Sequence, residues 1–131
     1  MKPMATKIVL VDDSLVALEW AREALAPLGF DVVTYNASLG IQAFVRKNQP
    51  RLVLLDVHMP ALNGDLVCRM LKESPQTKDV VVALYSSMPE EELQQLASKS
   101  GADGYIVKTS DVDVLSQQLE KLLSRAVFAP S

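Results

Sequence analysis

Five polar residues stand out in this 131-residue sequence because each follows a short run of apolar, β-forming residues. Asp12 and Asp13 follow the first run, Asp56 ends the third, Ser86 follows the fourth, and Lys108 follows the fifth. Three carboxylates gathered in one place would repel one another and raise the pKa of at least one, unless a cation joined them. Oxygen ligands suit a hard divalent ion, and Mg²⁺ usually keeps several waters beside one or two carboxylates. The acidic residues therefore indicate a candidate Mg²⁺ site.

The lysine and the serine would add the groups that bind a phosphoryl oxygen. The ammonium of Lys108 could neutralise one such oxygen, and the hydroxyl of Ser86 could donate a hydrogen bond to another. Positioning and charge neutralisation are most of what phosphoryl transfer requires. The remaining requirement is an acceptor, and an Asp carboxylate can form an aspartyl phosphate.

Each of these residues also has a simpler explanation when it is taken alone. The Asp12-Asp13 pair is compatible with an ordinary strand-to-helix turn that caps a helix. Ser86 alone suits a cap or turn, and Lys108 alone suits a solvated loop. Asp56 is harder to explain in this way, because a carboxylate that ends an apolar strand is rarely without a function. Their joint occurrence at strand ends favours a functional site.

The chain alternates β-rich runs with helical stretches, which predicts parallel strands joined by crossover helices. Strands are expected at residues 7–11, 31–35, 52–55, 80–85 and 105–107. Five helices are expected. The first two lie at about 14–26 and 39–47, the third ends near residue 72, the fourth begins at Pro89, and the fifth lies at about 111–124. The fold class predicted is α/β: a flavodoxin-like, doubly wound (βα)5 sandwich. Such sheets bind ligands beyond the carboxyl ends of their strands, and the common strand order 2-1-3-4-5 would place strands one and three side by side.

Local signals suggest where the helices begin and end. Ser38 is a plausible cap for the second helix, and Pro89 suits the first position of the fourth. Gly101 fits the left-handed position after that helix, and Ser110-x-x-Asp113 is close to a capping box for the last one. On a helical wheel, the core-facing side of the first helix is predicted to hold Ala17, Ala21, Ala24 and Leu28.

Composition narrows the class of protein. The sequence is 49% hydrophobic and 22% charged, with a net charge of −3 and a pI near 5.1. No basic field for nucleic acid or anionic lipid is therefore expected. No apolar run is long enough to span a bilayer, and no export signal is recognised. A single cysteine, Cys68, excludes an internal disulfide and favours the cytoplasm; it is interpreted as a packing residue. We expect a single domain over residues 1–131, with a core at about 7–124 and a short tail at 125–131.

At its polar segments the sequence resembles the response-regulator receiver family, of which the chemotaxis regulator is the familiar minimal member. The matching segments are Ile-Val-Leu-Val-Asp-Asp-Ser at 8–14, Val-Leu-Leu-Asp-Val-His-Met-Pro at 53–60 with Asn-Gly at 63–64, and Gly-Ala-Asp-Gly-Tyr-Ile-Val-Lys at 101–108. The resemblance extends over about residues 7–124.

The resemblance implies that Asp56 is the phosphoacceptor. It implies that Asp13, Asp56 and the main-chain carbonyl of His58 bind Mg²⁺ directly, while Asp12 acts mainly through water. The side chain of His58 is interpreted as a loop residue, because the sequence holds no second histidine to complete a transition-metal site.

The resemblance also implies the residues that contact and read the phosphoryl group. Lys108, Ser86 and the adjacent Ser87 would contact it. Ser86 and Tyr105 would form the switch, a two-state element biased by a local change of charge, although Tyr105 also suits simple strand packing. In the family the first helix contacts the phosphodonor, so Leu15, on the charged side of that helix, is a candidate docking residue.

Two positions depart from the family pattern. The family usually follows its lysine with proline in a cis peptide, whereas Thr109 follows here. A cis bond before a non-proline residue costs roughly 2.5–4 kcal/mol, so we predict a trans peptide and a shifted Lys108 loop. His58 and Met88 occupy variable positions that tune dephosphorylation in the family.

The leading hypothesis is a stand-alone, phosphorylation-activated signalling switch of a bacterial two-component system or phosphorelay, not an enzyme beyond its own phosphorylation and dephosphorylation. Its partners would be a sensor histidine kinase or phosphotransfer protein and a downstream protein target that contacts the fourth helix, fifth strand and fifth helix. A monomer or a phosphorylation-dependent homodimer is expected. The alternative is a receiver-like scaffold that does not depend on phosphorylation. A phosphatase is disfavoured because dehalogenase-like phosphatases have a D-x-D sequence after strand one, whereas the two aspartates here are contiguous. A flavin carrier is disfavoured because no phosphate-binding loop follows strand one.

Overall fold

Five strands form one parallel sheet, with helices between them. The computed structural model describes residues 5–128, with side chains through residue 124. The strands are β1 (Thr6–Val11), β2 (Phe30–Tyr35), β3 (Leu52–Asp56), β4 (Val81–Ser86) and β5 (Gly104–Val107). The helices are α1 (Leu15–Leu25), α2 (Ile41–Asn48), α3 (Gly64–Glu73), α4 (Glu90–Ser100) and α5 (Val112–Phe128), and a short 3₁₀ turn (Ala26–Leu28) follows α1.

The strand order is β2-β1-β3-β4-β5, and all four neighbouring pairs are parallel. The predicted fold class and strand order are therefore confirmed. Side chains of a strand alternate between the two faces of a sheet, and the central strands feed two cores. Ile8, Leu10, Leu52 and Leu54 lie in one core beneath α1 and α5. Val9, Val11, Val53 and Leu55 lie in the other, beneath α2, α3 and α4.

The predicted cap at Ser38 is wrong. Ser38 is buried, and its hydroxyl donates a hydrogen bond to the carbonyl oxygen of Pro60 at 3.0 Å. The helix begins after Gly40, which has a φ of 84°, in the left-handed region that favours glycine. Ser38 therefore connects the β2–α2 loop to the loop that follows β3.

The capping box predicted at Ser110 is also wrong. The carboxylate of Asp111 accepts hydrogen bonds from the backbone N–H groups of Asp113 at 2.9 Å and Val114 at 3.3 Å. An Asp directly before the first helical residue satisfies these donors without a serine further upstream.

Pro89 precedes α4 instead of occupying its first position. Its ψ of 141° is not helical, and its carbonyl oxygen accepts a hydrogen bond from the backbone N–H of Leu93 at 3.0 Å. At the other end of this helix Gly101 has a φ of 81°, as the sequence predicted.

The core-facing side of α1 was predicted only in part. Its buried residues are Leu18, Ala21 and Leu25. Ala17 and Ala24 are only partly buried, and Leu28 is 46% exposed. The α-helix ends at Leu25 and the chain continues as a tighter 3₁₀ turn, so Leu28 no longer follows the helical wheel.

The carboxylate of Asp103, at the edge of the sheet where the strands begin, connects the start of β4 to the turn into β5. Asp103 accepts hydrogen bonds from the backbone N–H of Val82 at 2.9 Å and from the Lys72 ammonium at 2.8 Å. The backbone N–H of Asp103 donates in turn to the Val82 carbonyl at 2.7 Å. These contacts help to fix the register of β5, which ends next to Lys108.

No helix within residues 5–128 has the length and apolar character needed to cross a membrane.

Candidate functional site

Asp12 lies at the end of β1 with its carboxylate buried and held in place. Its backbone N–H donates to the Tyr35 carbonyl at 3.1 Å, and its Oδ1 accepts from the backbone N–H of Ser14 at 2.9 Å. The hydroxyl of Ser14 caps α1 by accepting from the backbone N–H of Ala17. The helix cap is therefore Ser14, and the Asp12-Asp13 pair is available for other chemistry.

The structure brings together the three carboxylates that the sequence singled out. Strand β1 pairs with β3, so the ends of both strands meet at one edge of the sheet. Asp12, Asp13 and Asp56 each offer a carboxylate oxygen, and these oxygens lie within 4.8 Å of one another. Asp12 and Asp56 are buried, and Asp13 is exposed. Such a cluster of hard oxygen donors could hold a metal ion.

Lys108 reaches the same pocket from β5. Its Nζ lies 3.0 Å from Oδ2 of Asp12 and 3.3 Å from Oδ1 of Asp56. Its backbone N–H donates to the carbonyl oxygen of Ser86 at 2.8 Å. Residues 5–128 contain no cis peptide, so the bond before Thr109 is trans, as predicted. The lysine thus enters the acidic pocket without the proline that follows it in the family pattern.

Burial and charge act in opposite directions on these groups. Burial raises the pKa of the Asp56 carboxyl, the nearby charge of Asp12 raises it further, and the ammonium of Lys108 opposes both effects. Burial alone would lower the pKa of Lys108, but its hydrogen bond to Asp12 and the charge of Asp56 outweigh burial and raise it. One ammonium among three carboxylates leaves the site negative, which favours the binding of a cation.

The other predicted site residues lie on or just after β3, β4 and β5. Ser86 ends β4 and is buried, and its hydroxyl oxygen accepts from the backbone N–H of Met88 at 3.2 Å. Ser87 is exposed, and Tyr105 is partly buried on β5, which pairs with β4. His58 is exposed in the loop after β3. Their contacts with a phosphoryl group or a metal remain predictions.

Leu15 is 65% exposed at the start of α1, and its neighbour Val16 is 81% exposed. A groove beside the pocket is lined by Ser14, Val16, Ala17, Trp20, Tyr85, Lys108, Thr109 and Ser110. The first turn of α1 therefore presents apolar side chains to solvent close to the acidic pocket, which is compatible with the predicted docking role of Leu15.

The sequence interpretation missed Tyr85. Its ring is buried, and the Lys108 Nζ lies over it, 5.4 Å from the ring centroid. Tyr85 was interpreted only as part of an apolar strand. The alternation of side chains along β4 would have placed it on the face opposite Leu84, but only the fold brings the ring beneath the lysine.

We predict that Asp56→Asn stabilises the metal-free protein at neutral pH by about 0.5–2 kcal/mol, the usual range for relieving a local conflict. The pKa of Asp56 is raised in the fold, so its contribution to stability is fully present below the unfolded value of about 3.9 and is lost as the pH rises through the folded value. The Asp56→Asn protein has no carboxyl group to ionise at this position, so it does not lose stability in this way as the pH rises. Urea unfolding in EDTA should therefore show a gain at pH 7 that shrinks towards pH 4.

The matched control for this prediction is Asp79→Asn, which removes an exposed carboxylate. It should change the stability little at either pH. A less stable Asp56→Asn protein at pH 7 would contradict the description of Asp56 as a buried, repelled carboxylate.

Comparison with known proteins assigns the chain to a family. The family model for the response regulator receiver domain matches residues 8–120. A gliding motility regulatory protein of Myxococcus xanthus is 34% identical in an alignment of 119 positions that covers 88% of this chain and 15% of that protein. The DNA-binding dual master transcriptional regulator RpaA of Synechocystis is 28% identical over 95% of this chain and 52% of its own length. The chain thus spans about half or less of these two curated relatives.

Solved structures give the same assignment. The signal receiver domain of a signal transduction histidine kinase from Syntrophus aciditrophicus superposes with a TM-score of 0.82 at 27% identity, covering 97% of this chain and 96% of that chain. The chemotaxis response regulator CheY4 of Vibrio cholerae has the same fold, with a TM-score of 0.82 at 23% identity over 91% of this chain and 99% of its own. With its sheet order and its acidic pocket, the chain belongs to the response-regulator receiver domain family of two-component signalling.

Proposed function

We propose that Asp56 accepts a phosphoryl group from a histidine kinase or a phosphotransfer protein and that this modification switches the binding of a downstream protein. The observation that carries the proposal is the position of the Lys108 ammonium, 3.0 Å from Asp12 and 3.3 Å from Asp56. An ammonium at this position would neutralise charge on a phosphoryl group carried by Asp56. Electrostatic stabilisation of this kind is the main contribution of a protein to phosphoryl transfer.

The transfer step is a displacement at phosphorus. A carboxylate oxygen of Asp56 attacks the phosphorus of the donor phosphohistidine, the P–N bond breaks, and its electron pair leaves on the imidazole nitrogen. Only the ionised carboxyl can attack, so Lys108 favours the reactive form of Asp56 against the effect of burial. The ammonium then neutralises an oxygen of the phosphoryl group.

The acidic pocket fits Mg²⁺, a cation that receiver domains generally bind at this position. Asp13, Asp56 and the main-chain carbonyl of His58 would hold it, with Asp12 acting through water. When bound, Mg²⁺ supplies charge neutralisation and a template for the phosphoryl oxygens. The fit rests on three hard oxygen donors within 4.8 Å and on the excess of negative charge.

We propose that β4 and β5 couple the phosphoryl group to the partner-binding surface. Ser86 and Ser87 would contact the phosphoryl group, and Tyr105 would change its burial as Ser86 moves. The surface formed by α4, β5 and α5 would then exchange partners. The backbone contact between Lys108 and Ser86 supports this route, because it couples the two strand ends directly. A cytoplasmic location, and either a monomer or a phosphorylation-dependent homodimer, remain our expectation.

Intact-mass measurement after treatment with acetyl phosphate and Mg²⁺ tests the proposal. The wild type should gain one phosphoryl group, and Asp56→Ala should gain none. EDTA should suppress the adduct, and Asp79→Ala, at an exposed carboxylate, should behave as the wild type. An adduct on both wild type and Asp56→Ala would mean that the acceptor is another residue.

The absence of an adduct from every protein would favour the phosphorylation-independent scaffold. The one sequence feature that would favour this alternative is the departure from the family pattern at Thr109. The structure gives it no support, because Lys108 reaches both carboxylates with Thr109 next to it.

We predict that Leu15→Asp slows phosphotransfer from the cognate donor roughly tenfold, since a charge would replace an exposed apolar side chain beside the pocket. The rate with acetyl phosphate should stay unchanged, because this small donor needs no docking surface. Leu28→Asp, which alters another exposed leucine outside the acidic pocket, is the control. Equal rates of transfer to wild type and Leu15→Asp would exclude Leu15 from the docking surface.

A further inference from the structure

The aromatic ring of Tyr85 forms a platform beneath the Lys108 ammonium. The Nζ lies over the ring at 5.4 Å from its centroid, within the distance of about 6 Å at which the negative face of an aromatic ring attracts a cation. The same ammonium also contacts Asp12 and Asp56. Lys108 is thus held by two carboxylates and one neutral ring.

Tyr85 is well placed to hold a neighbour still. It lies in β4 between two hydrogen-bonded strands, where it pairs with Asp56 of β3 and Ile106 of β5. Its side chain is 5% exposed and belongs to the core beneath α1 and α5. A ring packed in this way has little freedom to follow the lysine, so the lysine must adjust to the ring.

The main chain of Lys108 is hydrogen-bonded to β4 through its N–H group. Its N–H is bonded to the carbonyl of Ser86, the residue after Tyr85. Thr109 follows as an ordinary trans-linked residue, and its hydroxyl accepts a hydrogen bond from the backbone N–H of Asp111 at 3.0 Å. The side chain of Lys108 therefore depends on its own contacts for its position.

The two kinds of contact differ in what happens to them during phosphotransfer. In the function proposed above, Asp56 would carry the acyl phosphate and hold Mg²⁺, and Asp12 would act on the same ion through water. Their attraction for the Lys108 ammonium would then weaken, although the ammonium must now reach a phosphoryl oxygen. The face of Tyr85 carries no formal charge and takes no part in those bonds, so its attraction for the ammonium persists.

We propose that Tyr85 is a positioning residue for phosphoryl transfer, which keeps the Lys108 ammonium directed at the phosphorylation site while its carboxylate partners are occupied. This inference rests on the proposed phosphorylation of Asp56. An aromatic residue on β4 would thus help to fix the position of Lys108.

Phosphorylation rates of a small set of variants test the inference. Acetyl phosphate and Mg²⁺ are used as the probe, and the adduct is followed by intact mass. Tyr85→Leu should lower the rate roughly three- to tenfold, the range that corresponds to loss of one partly buried cation–π contact. Tyr85→Phe keeps the ring and should retain more than half of the wild-type rate.

A purely structural role for Tyr85 is distinguished by repeating the change in a Lys108→Met background. If Tyr85 acts through the lysine, Tyr85→Leu should have almost no further effect there. The same fold-loss in both backgrounds, an unchanged rate in Tyr85→Leu alone, or a Tyr85→Phe protein as slow as Tyr85→Leu would overturn the inference. A wild type that gains no adduct would overturn the proposed function and this inference together.

Folding of each variant is checked by urea unfolding. Should Tyr85→Leu not fold, Tyr85→Met provides a second non-aromatic side chain that fills irregular space well. The same rate criteria then apply to it.

Discussion

Replacing Lys108 with Met is expected to lower the rate of Asp56 phosphorylation by acetyl phosphate on the order of a hundredfold, the cost of removing one pre-positioned group that stabilises developing charge. The same change should raise the affinity for Mg²⁺. The ammonium lies 3.0 Å from Asp12 and 3.3 Å from Asp56, so it competes with a cation for the same carboxylates. Without it the pocket becomes more negative and binds a cation more tightly.

Opposite changes in rate and metal affinity distinguish this result from misfolding, which would lower both. The two quantities are measured by intact mass over time and by Mg²⁺ titration. Lys78→Met removes an exposed lysine and should leave both unchanged. If Lys108→Met phosphorylated at the wild-type rate, the ammonium would have no part in the transfer. If it bound Mg²⁺ more weakly, the charge balance of the pocket would have been assigned wrongly.

The parts of the fold and site that the sequence predicted correctly depend on local patterns. Apolar runs alternating with helical stretches specify parallel strands, and the carboxyl ends of parallel strands share one edge. Asp12, Asp56 and Lys108 could therefore be placed near one another before any coordinates, and the contacts of Lys108 agree with that prediction. The common strand order of doubly wound sheets placed strands one and three side by side, and the family resemblance named the proposed phosphoacceptor.

The errors occurred where a tertiary contact or a change of helix type outweighs a simple sequence pattern. Ser38 has the residue type of a helix cap, but its hydroxyl bonds Pro60 in a loop 22 residues away, and no local pattern reveals that contact. Leu28 fits the helical wheel of α1, but the wheel fails once the chain tightens into a 3₁₀ turn. Tyr85 fits any buried strand, and its relation to Lys108 exists only once β4 and β5 pair.

Gly64 shows a further constraint that only the structure reveals, and it leads to the largest expected effect on stability. The glycine begins α3, is buried, and donates its backbone N–H to the carbonyl of Val57 at 2.9 Å. A Cβ at this position would overlap the carbonyl oxygen of Asp56 and lie 2.9 Å from its carbonyl carbon. Both atoms belong to the backbone of β3, so no side-chain rotation can relieve the clash.

Gly64→Ala is therefore expected to destabilise the protein by about 2–4 kcal/mol, as overpacking against fixed backbone does. The strand end that carries the proposed phosphoacceptor must move, so the rate of Asp56 phosphorylation should fall as well. Urea unfolding and intact-mass kinetics on the same preparation measure the two effects.

Gly29→Ala separates the clash from the general loss of a glycine. Gly29 has a φ of 93°, and apart from the glycine and its two chain neighbours no described atom would lie within 4 Å of a Cβ at this position. Alanine at that position meets only the strain of the left-handed region, about 1–2 kcal/mol, and lies outside the acidic pocket. Gly29→Ala should therefore lose stability but phosphorylate at the wild-type rate, whereas Gly64→Ala should lose both. A Gly64→Ala protein as stable as the wild type would show that the loop after β3 can yield, and the close approach of α3 to Asp56 would then not be what fixes the phosphorylation site.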